Sequence, residues 1–113
     1  MSDAVAVDLL KRVAEFFRED PKRWTQGNAA RDRFGVAVSE RDETAVCWCA
    51  IGVVWRLQDS PQFAVAEAAL KRLRRAIRSD NSESVSVGAW NDYSWRSIEE
   101  VIAIFEKAAE LPA

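Results

Sequence analysis

The chain has no histidine, and its 113 residues include two cysteines, three prolines and four glycines. Without histidine it lacks the side chain most used as a general base near neutral pH and the commonest metal ligand. Cys47 and Cys49 alone cannot supply a zinc site, so neither a metal nor a cofactor is expected. Nor can the two thiols serve each other. On a helix, positions two apart point about 200° away from one another, and on a strand a disulfide between them would be strained. Two reduced, buried thiols suit a reducing compartment. No apolar run approaches the ~20 residues of a membrane span. The opening Met1-Ser2-Asp3-Ala4 lacks the basic and apolar regions of a signal peptide, so the cytoplasm is the expected location. An excess of basic charge is also missing. Sixteen Lys and Arg face eighteen Asp and Glu, a net charge of -2, which argues against a general nucleic-acid or membrane-surface binder.

Apolar material is plentiful. Hydrophobic residues make up 49% of the chain, with five Trp and five Phe, enough to pack one domain over residues 1–113. The longest apolar stretch, Ala45 to Leu57, carries a single charge at Arg56. It is long for a strand and apolar on every side, which predicts a central buried helix over 45–57. Thr44 would cap that helix, with Asp42 and Glu43 favouring its positive end.

Around it, Asp3 to Glu19 reads as a first helix ended by Pro21, with Ala6, Leu9, Leu10, Val13, Phe16 and Phe17 inward. Ser60-Pro61 opens a helix to Arg78 whose stripe is Phe63, Ala66, Ala69, Leu70, Leu73 and Ile77. Ser97 and Glu100 form a capping box for a last helix to about Glu110. Trp24 is an anchor against the core. Gly27-Asn28 and Arg33-Phe34-Gly35 are turn signals, and Ala29–Val38 can form a short hairpin. Ser84–Trp90 alternates, which predicts an extended segment paired with Val36–Val38. The expected fold is mainly α with minor β: four helices, the central one included, and a small hairpin or short sheet.

Two motifs occur in order: Cys49-Ala50-Ile51-Gly52 in the apolar stretch, and Trp90-Asn91-Asp92 ahead of the capped last helix. Together they resemble a family of small uncharacterised proteins of bacteria and phages with a Cys-x-x-Gly-Ala helix, a Trp-Asn-Asp turn and a capped final helix. The resemblance covers Trp24 to Ala109, with Val53 in place of the family's Ala. It implies that Cys49, Gly52, Trp90, Asn91 and Asp92 share one spatial cluster, and it brings no activity with it.

Each motif has a plain and a sharp reading. Ala45, Cys49 and Gly52, at i, i+4 and i+7, would let another backbone approach closely. Cysteine catalysis would need a base that this chain lacks. Asn91 and Asp92 hold a turn under Trp90, or else face a ligand beside Tyr93 and Trp95. A catalytic carboxylate pair would need Asp32, Asp42 or Glu43 near Asp92. Lys71, Arg72, Arg74, Arg75 and Arg78 form a solvated helix end complementing the dipole, or a docking patch for an acidic protein or a nucleic acid, the net acidity favouring the protein. The expected function is a non-enzymatic interaction protein with a protein partner. Phage inhibitors of host defence such as anti-CRISPR proteins are one version, by family resemblance and size. The alternatives are a small ligand-binding or hydrolase-like domain at Asn91/Asp92, and a helix-turn-helix-like nucleic-acid binder through helix 60–78.

Overall fold

A computed structural model describes residues 3–58, 63–80 and 86–113. Helix α1 (Asp3–Glu19) leads through a single 3-10 turn at Pro21–Arg23 to strands β1 (Ala30–Asp32), β2 (Ala37–Val38) and β3 (Ala45–Trp48). Helices α2 (Ala50–Leu57), α3 (Phe63–Asp80), α4 (Val87–Asp92) and α5 (Ile98–Glu110) follow. The protein is mainly helical with one small antiparallel sheet, ordered β2-β1-β3.

Helix α1 is the organising element, packing on α5, α3 and α2. Its buried stripe of Ala6, Leu9, Leu10, Val13, Ala14 and Phe17 follows the period of an amphipathic helix. Phe17 meets Phe105 of α5 edge-on, and Phe16 meets Trp48 of β3. Helix α5 starts with the expected capping box: the Ser97 hydroxyl accepts from Glu100 N, and Glu100 accepts from Ser97 N.

The Ala29–Val38 hairpin is present as β1 and β2, with Ala30 opposite Val38 and Arg31 opposite Ala37. Its turn is held by Asp32, whose Oδ1 accepts from Phe34 N and Val36 N. Gly35 supplies the positive φ of 82° that this turn requires.

The expected central helix is shorter than its apolar run. Ala45–Trp48 is strand, paired with β1, and only Ala50–Leu57 is helix. A continuous apolar run carries no period to separate strand from helix, and β-branched Val46 sits in the strand portion. The cap moves accordingly. Cys49, not Thr44, ends the extended backbone, and its sulfur accepts from Gly52 N. Thr44 instead donates to Asp42 through both its N–H and its hydroxyl. Ala45 therefore does not share a helix face with Cys49 and Gly52.

The extended segment expected over Ser84–Trp90 is also corrected. Ser84 and Val85 lie outside the described residues, and Ser86 caps α4 by accepting from Ala89 N. A 3.6-residue period then buries Val87, Trp90 and Asn91 on one side. Strand β2 pairs with β1 and not with the described residues 86–90. The Ser60-Pro61 cap signal lies outside the described residues. Phe63, expected inward, is 66% exposed and packs edge-on against Trp55.

Candidate functional site

The residues of the two motifs meet where α2, α4 and the Trp24–Ala29 segment converge. Asn91 is the hub, with no solvent exposure. Its Oδ1 accepts from Trp24 Nε1 at 2.7 Å and from Ala50 N at 3.0 Å, the latter in the first turn of α2. Its Nδ2 donates to Thr25 O at 3.2 Å and Asp92 Oδ1 at 2.9 Å. The side-chain amide thus spends both acceptor and both donor positions on the protein. Asp92 is exposed, and its Oδ1 also accepts from Gly27 N at 3.0 Å. Gln26 Nε2 donates to the carbonyls of Asn91 and Tyr93, each at 2.8 Å. The Arg96 guanidinium lies 3.9 Å from the centre of the Trp90 ring and donates to Trp90 O.

Cys49 and Gly52 stand beside this hub. Cys49 N donates to Ala29 O at 3.1 Å. A Cβ built on Gly52 would lie 2.1 Å from that same oxygen. Glycine is required here because the β1 entry runs against the helix backbone. Burial pushes the Cys49 thiol above its ordinary range, and the nearby Asp92 charge adds to the rise. The N–H groups of Gly52 and Ile51 only oppose this. At neutral pH the thiol is protonated, and a protonated thiol is a poor nucleophile. Cys47, expected to be buried, is half-exposed on β3, and both cysteines are free.

The cleft over this cluster, about 250 Å³, is lined by Gly27, Asn28, Ala29, Cys49, Ile51, Gly88 and Asp92. Among the described residues lining it, Asp92 has no second carboxylate. Asp32 is committed to the hairpin turn and Asp42 to Thr44. The Thr44 hydroxyl and then its N–H hold the Asp42 carboxyl below its ordinary range. Among the described residues no group of three His, Cys, Asp or Glu could hold a metal ion.

The basic set divides. Lys71, Arg74 and Arg78 are exposed and Arg75 is half-exposed. Arg72, expected with them, is 3% exposed. Its Nε donates to Ala108 O at 3.0 Å, and its guanidinium reaches Leu111 O and the Asp3 carboxylate. It is a strut joining α1, α3 and the end of α5. Position 72 lies on the packed side of α3 with Val65, Ala69, Leu73 and Ala76. A run of basic residues hides that fact from a reader counting charges.

Sequence reasoning missed Thr25, Gln26 and Ala29 as partners of the Asn91 cluster. They lie more than sixty residues from Asn91 in an irregular segment with no periodic signal. It also missed an apolar cleft of about 360 Å³ lined by Asp32, Arg33, Phe34, Thr44 and Val46. Phe34 there is 76% exposed.

The fold and the saturated amide define a small mainly-α domain whose Trp-Asn-Asp motif joins its sheet entry to its helices. The chain belongs to a family of unknown function, DUF6197, whose model matches residues 1–111. No curated protein and no solved structure matches it.

Proposed function

We propose that this domain is a non-enzymatic interaction module that docks an acidic protein partner through the outer face of α3, with Lys71, Arg74, Arg75 and Arg78 as the contact set. One observation carries the reading. Among the described residues, Arg74, Arg75 and Arg78 are the arginines that engage no carboxylate, carbonyl or aromatic ring. Arg12, Arg18, Arg23, Arg72 and Arg96 pair with carboxylates. Arg31, Arg41 and Arg56 donate to carbonyls, and Arg33 lies over Phe34. Three unmet guanidiniums grouped on one face, in a chain of net charge -2, suit a surface of opposite sign. An inhibitor of host defence would be one such module, and two free cysteines are in keeping with a cytoplasmic setting.

Two rival readings fare worse. A DNA-reading helix presents its N-terminal residues to the bases. The first exposed residues of α3 are Phe63, Ala64 and Glu67, with the cations in its second half. A catalytic pocket at Asn91 has no free amide atom to offer a ligand, and Cys49 is held protonated.

The test is capture of a partner from native-host lysate by wild-type protein and by the triple variant Arg74→Glu, Arg75→Glu, Arg78→Glu. The expected outcome is loss of the captured protein with a melting temperature within a few degrees of wild type, since these side chains make no hydrogen bond, ion pair or ring contact within the described residues. Equal capture by both proteins at low salt would return the face to solvent.

A further inference from the structure

The buried Arg72 has a second effect: it builds a groove. By holding Ala108 O and Leu111 O against α3, it lays the chain beyond α5 alongside the last turns of that helix. The result is a shallow groove of about 310 Å³ lined by Arg75, Arg78, Ser79 and Leu111. Two of the unmet guanidiniums form one wall, and a half-buried leucine forms the other. The Ser79 hydroxyl is taken up by its own helix, donating to Ala76 O at 3.0 Å.

From this we infer that the groove takes an acidic segment of the partner bearing one apolar side chain. The leucine-sized group would sit on Leu111, flanked by carboxylates that reach Arg75 and Arg78. This deepens the docking reading above and rests on it. Arg75 and Arg78 are one helical turn apart, with Cβ atoms about 5–6 Å apart. That spacing matches carboxylates on neighbouring positions of one peptide, and Arg can grip each bidentately. A nucleic acid fits less well. The cation stripe from Lys71 to Arg78 is only about 10 Å long at the helical rise, short of the run of phosphate contacts that nucleic-acid affinity rests on. The leucine wall would gain nothing from a phosphate backbone.

The experiment uses three labelled probes on ¹⁵N-labelled full-length protein. One is the peptide acetyl-Gly-Asp-Glu-Leu-Glu-Asp-Gly, the second replaces its Leu by Ser, and the third is a twelve-nucleotide single-stranded DNA. At 150 mM salt the Leu peptide should shift the amide signals of Arg75, Arg78, Ser79 and Leu111. It should bind about tenfold tighter than the Ser peptide. Arg78→Glu should abolish both interactions, and Leu111→Ser should bring the two peptides level. The peptide pair needs no variant, so the comparison survives if Leu111→Ser fails to fold. Peptides bound within twofold of each other, shifts centred elsewhere, or tighter binding of the DNA would each overturn the inference. Loss of partner capture in the triple charge variant alongside equal peptide binding would keep the docking face and sink this groove. Selection of the Leu peptide with capture unaffected would do the reverse.

Discussion

Replacing Asn91 by Ala tests the structural reading of the Trp-Asn-Asp motif most directly. The substitution strands three partners: Trp24 Nε1, Ala50 N and Thr25 O. Ala50 is fully buried in the first turn of α2, so its N–H has no water to turn to and should cost about 1–3 kcal/mol. Trp24 and Thr25 are half-exposed, and each should cost at the low end of that range. The sum is about 3–5 kcal/mol, a large share of the roughly 5–15 kcal/mol that holds such a domain. Urea denaturation followed by tryptophan fluorescence measures it. Trp24→Phe is the milder companion: Asn91 Oδ1 keeps its bond to Ala50 N, and the loss should stay near 1 kcal/mol. Asn91→Asp keeps the acceptor but aims a second oxygen at Thr25 O and Asp92. Burial beside Asp92 would raise the folded pKa of the new carboxyl above its unfolded value. Its contribution is then favourable at low pH and lost as pH rises, so this variant should be relatively more stable at pH 4 than at pH 7. A loss below about 0.5 kcal/mol for Asn91→Ala, within ordinary surface scatter, would refute the reasoning.

Gly52→Ala should destabilise by about 1–3 kcal/mol despite the better helix propensity of Ala, because a methyl cannot occupy the space of Ala29 O; a raised melting temperature would show that β1 retreats freely. Ser97 N, then its hydroxyl and Arg96, holds the Glu100 carboxyl below its ordinary range. Its contribution is therefore present above the unfolded pKa and lost as pH falls through the lowered folded one, so Glu100→Gln should show a smaller drop in melting temperature from pH 6 to pH 3 than wild type. In thiol titration with Ellman's reagent, half-exposed Cys47 should react promptly and Cys49 only after denaturant is added; simultaneous reaction would place Cys49 outside the core. Arg72→Met should cost about 2 kcal/mol, the range for hydrogen bonds to a charged group, and should speed amide hydrogen exchange at the end of α5; unchanged exchange there would mean that the tail is held by other contacts.

The helices with a clear 3.6-residue period were legible from sequence. Helix α1 has its expected bounds, and Ser97 with Glu100 marks the start of α5. The hairpin was legible because Arg33-Phe34-Gly35 marks a turn, and Gly35 supplies its positive φ; that Asp32 holds the turn is visible only in the structure. What failed shares one cause: locally ambiguous residues settled by distant partners. Ala45–Trp48 is strand because β1 and Thr25 meet its backbone, and the β-branched Val46 alone is too weak a signal to announce this. Val87–Asp92 is helix because Trp90 and Asn91 must turn inward together. The proximity of Cys49, Gly52, Asn91 and Asp92 came from family resemblance and could not be reached from spacing alone. Arg72 was misplaced because charge was read along the chain, when its position on the helix face decides its burial.

Arg72 also ties the fold to the order in which the chain is made. Its guanidinium holds Asp3, sixty-nine residues before it, and Leu111, thirty-nine residues after it. During synthesis α1 and α3 emerge first and can meet, but the carbonyls of Ala108 and Leu111 do not yet exist. Until they arrive, the nascent domain carries a cation facing an interior it cannot enter, beside the uncovered apolar stripe of α1. Docking of α5 covers that stripe and brings the guanidinium its carbonyl partners in one event. A ribosome that stops short of residue 108 therefore releases a chain that cannot close, and its open face is what a protease or chaperone would recognise.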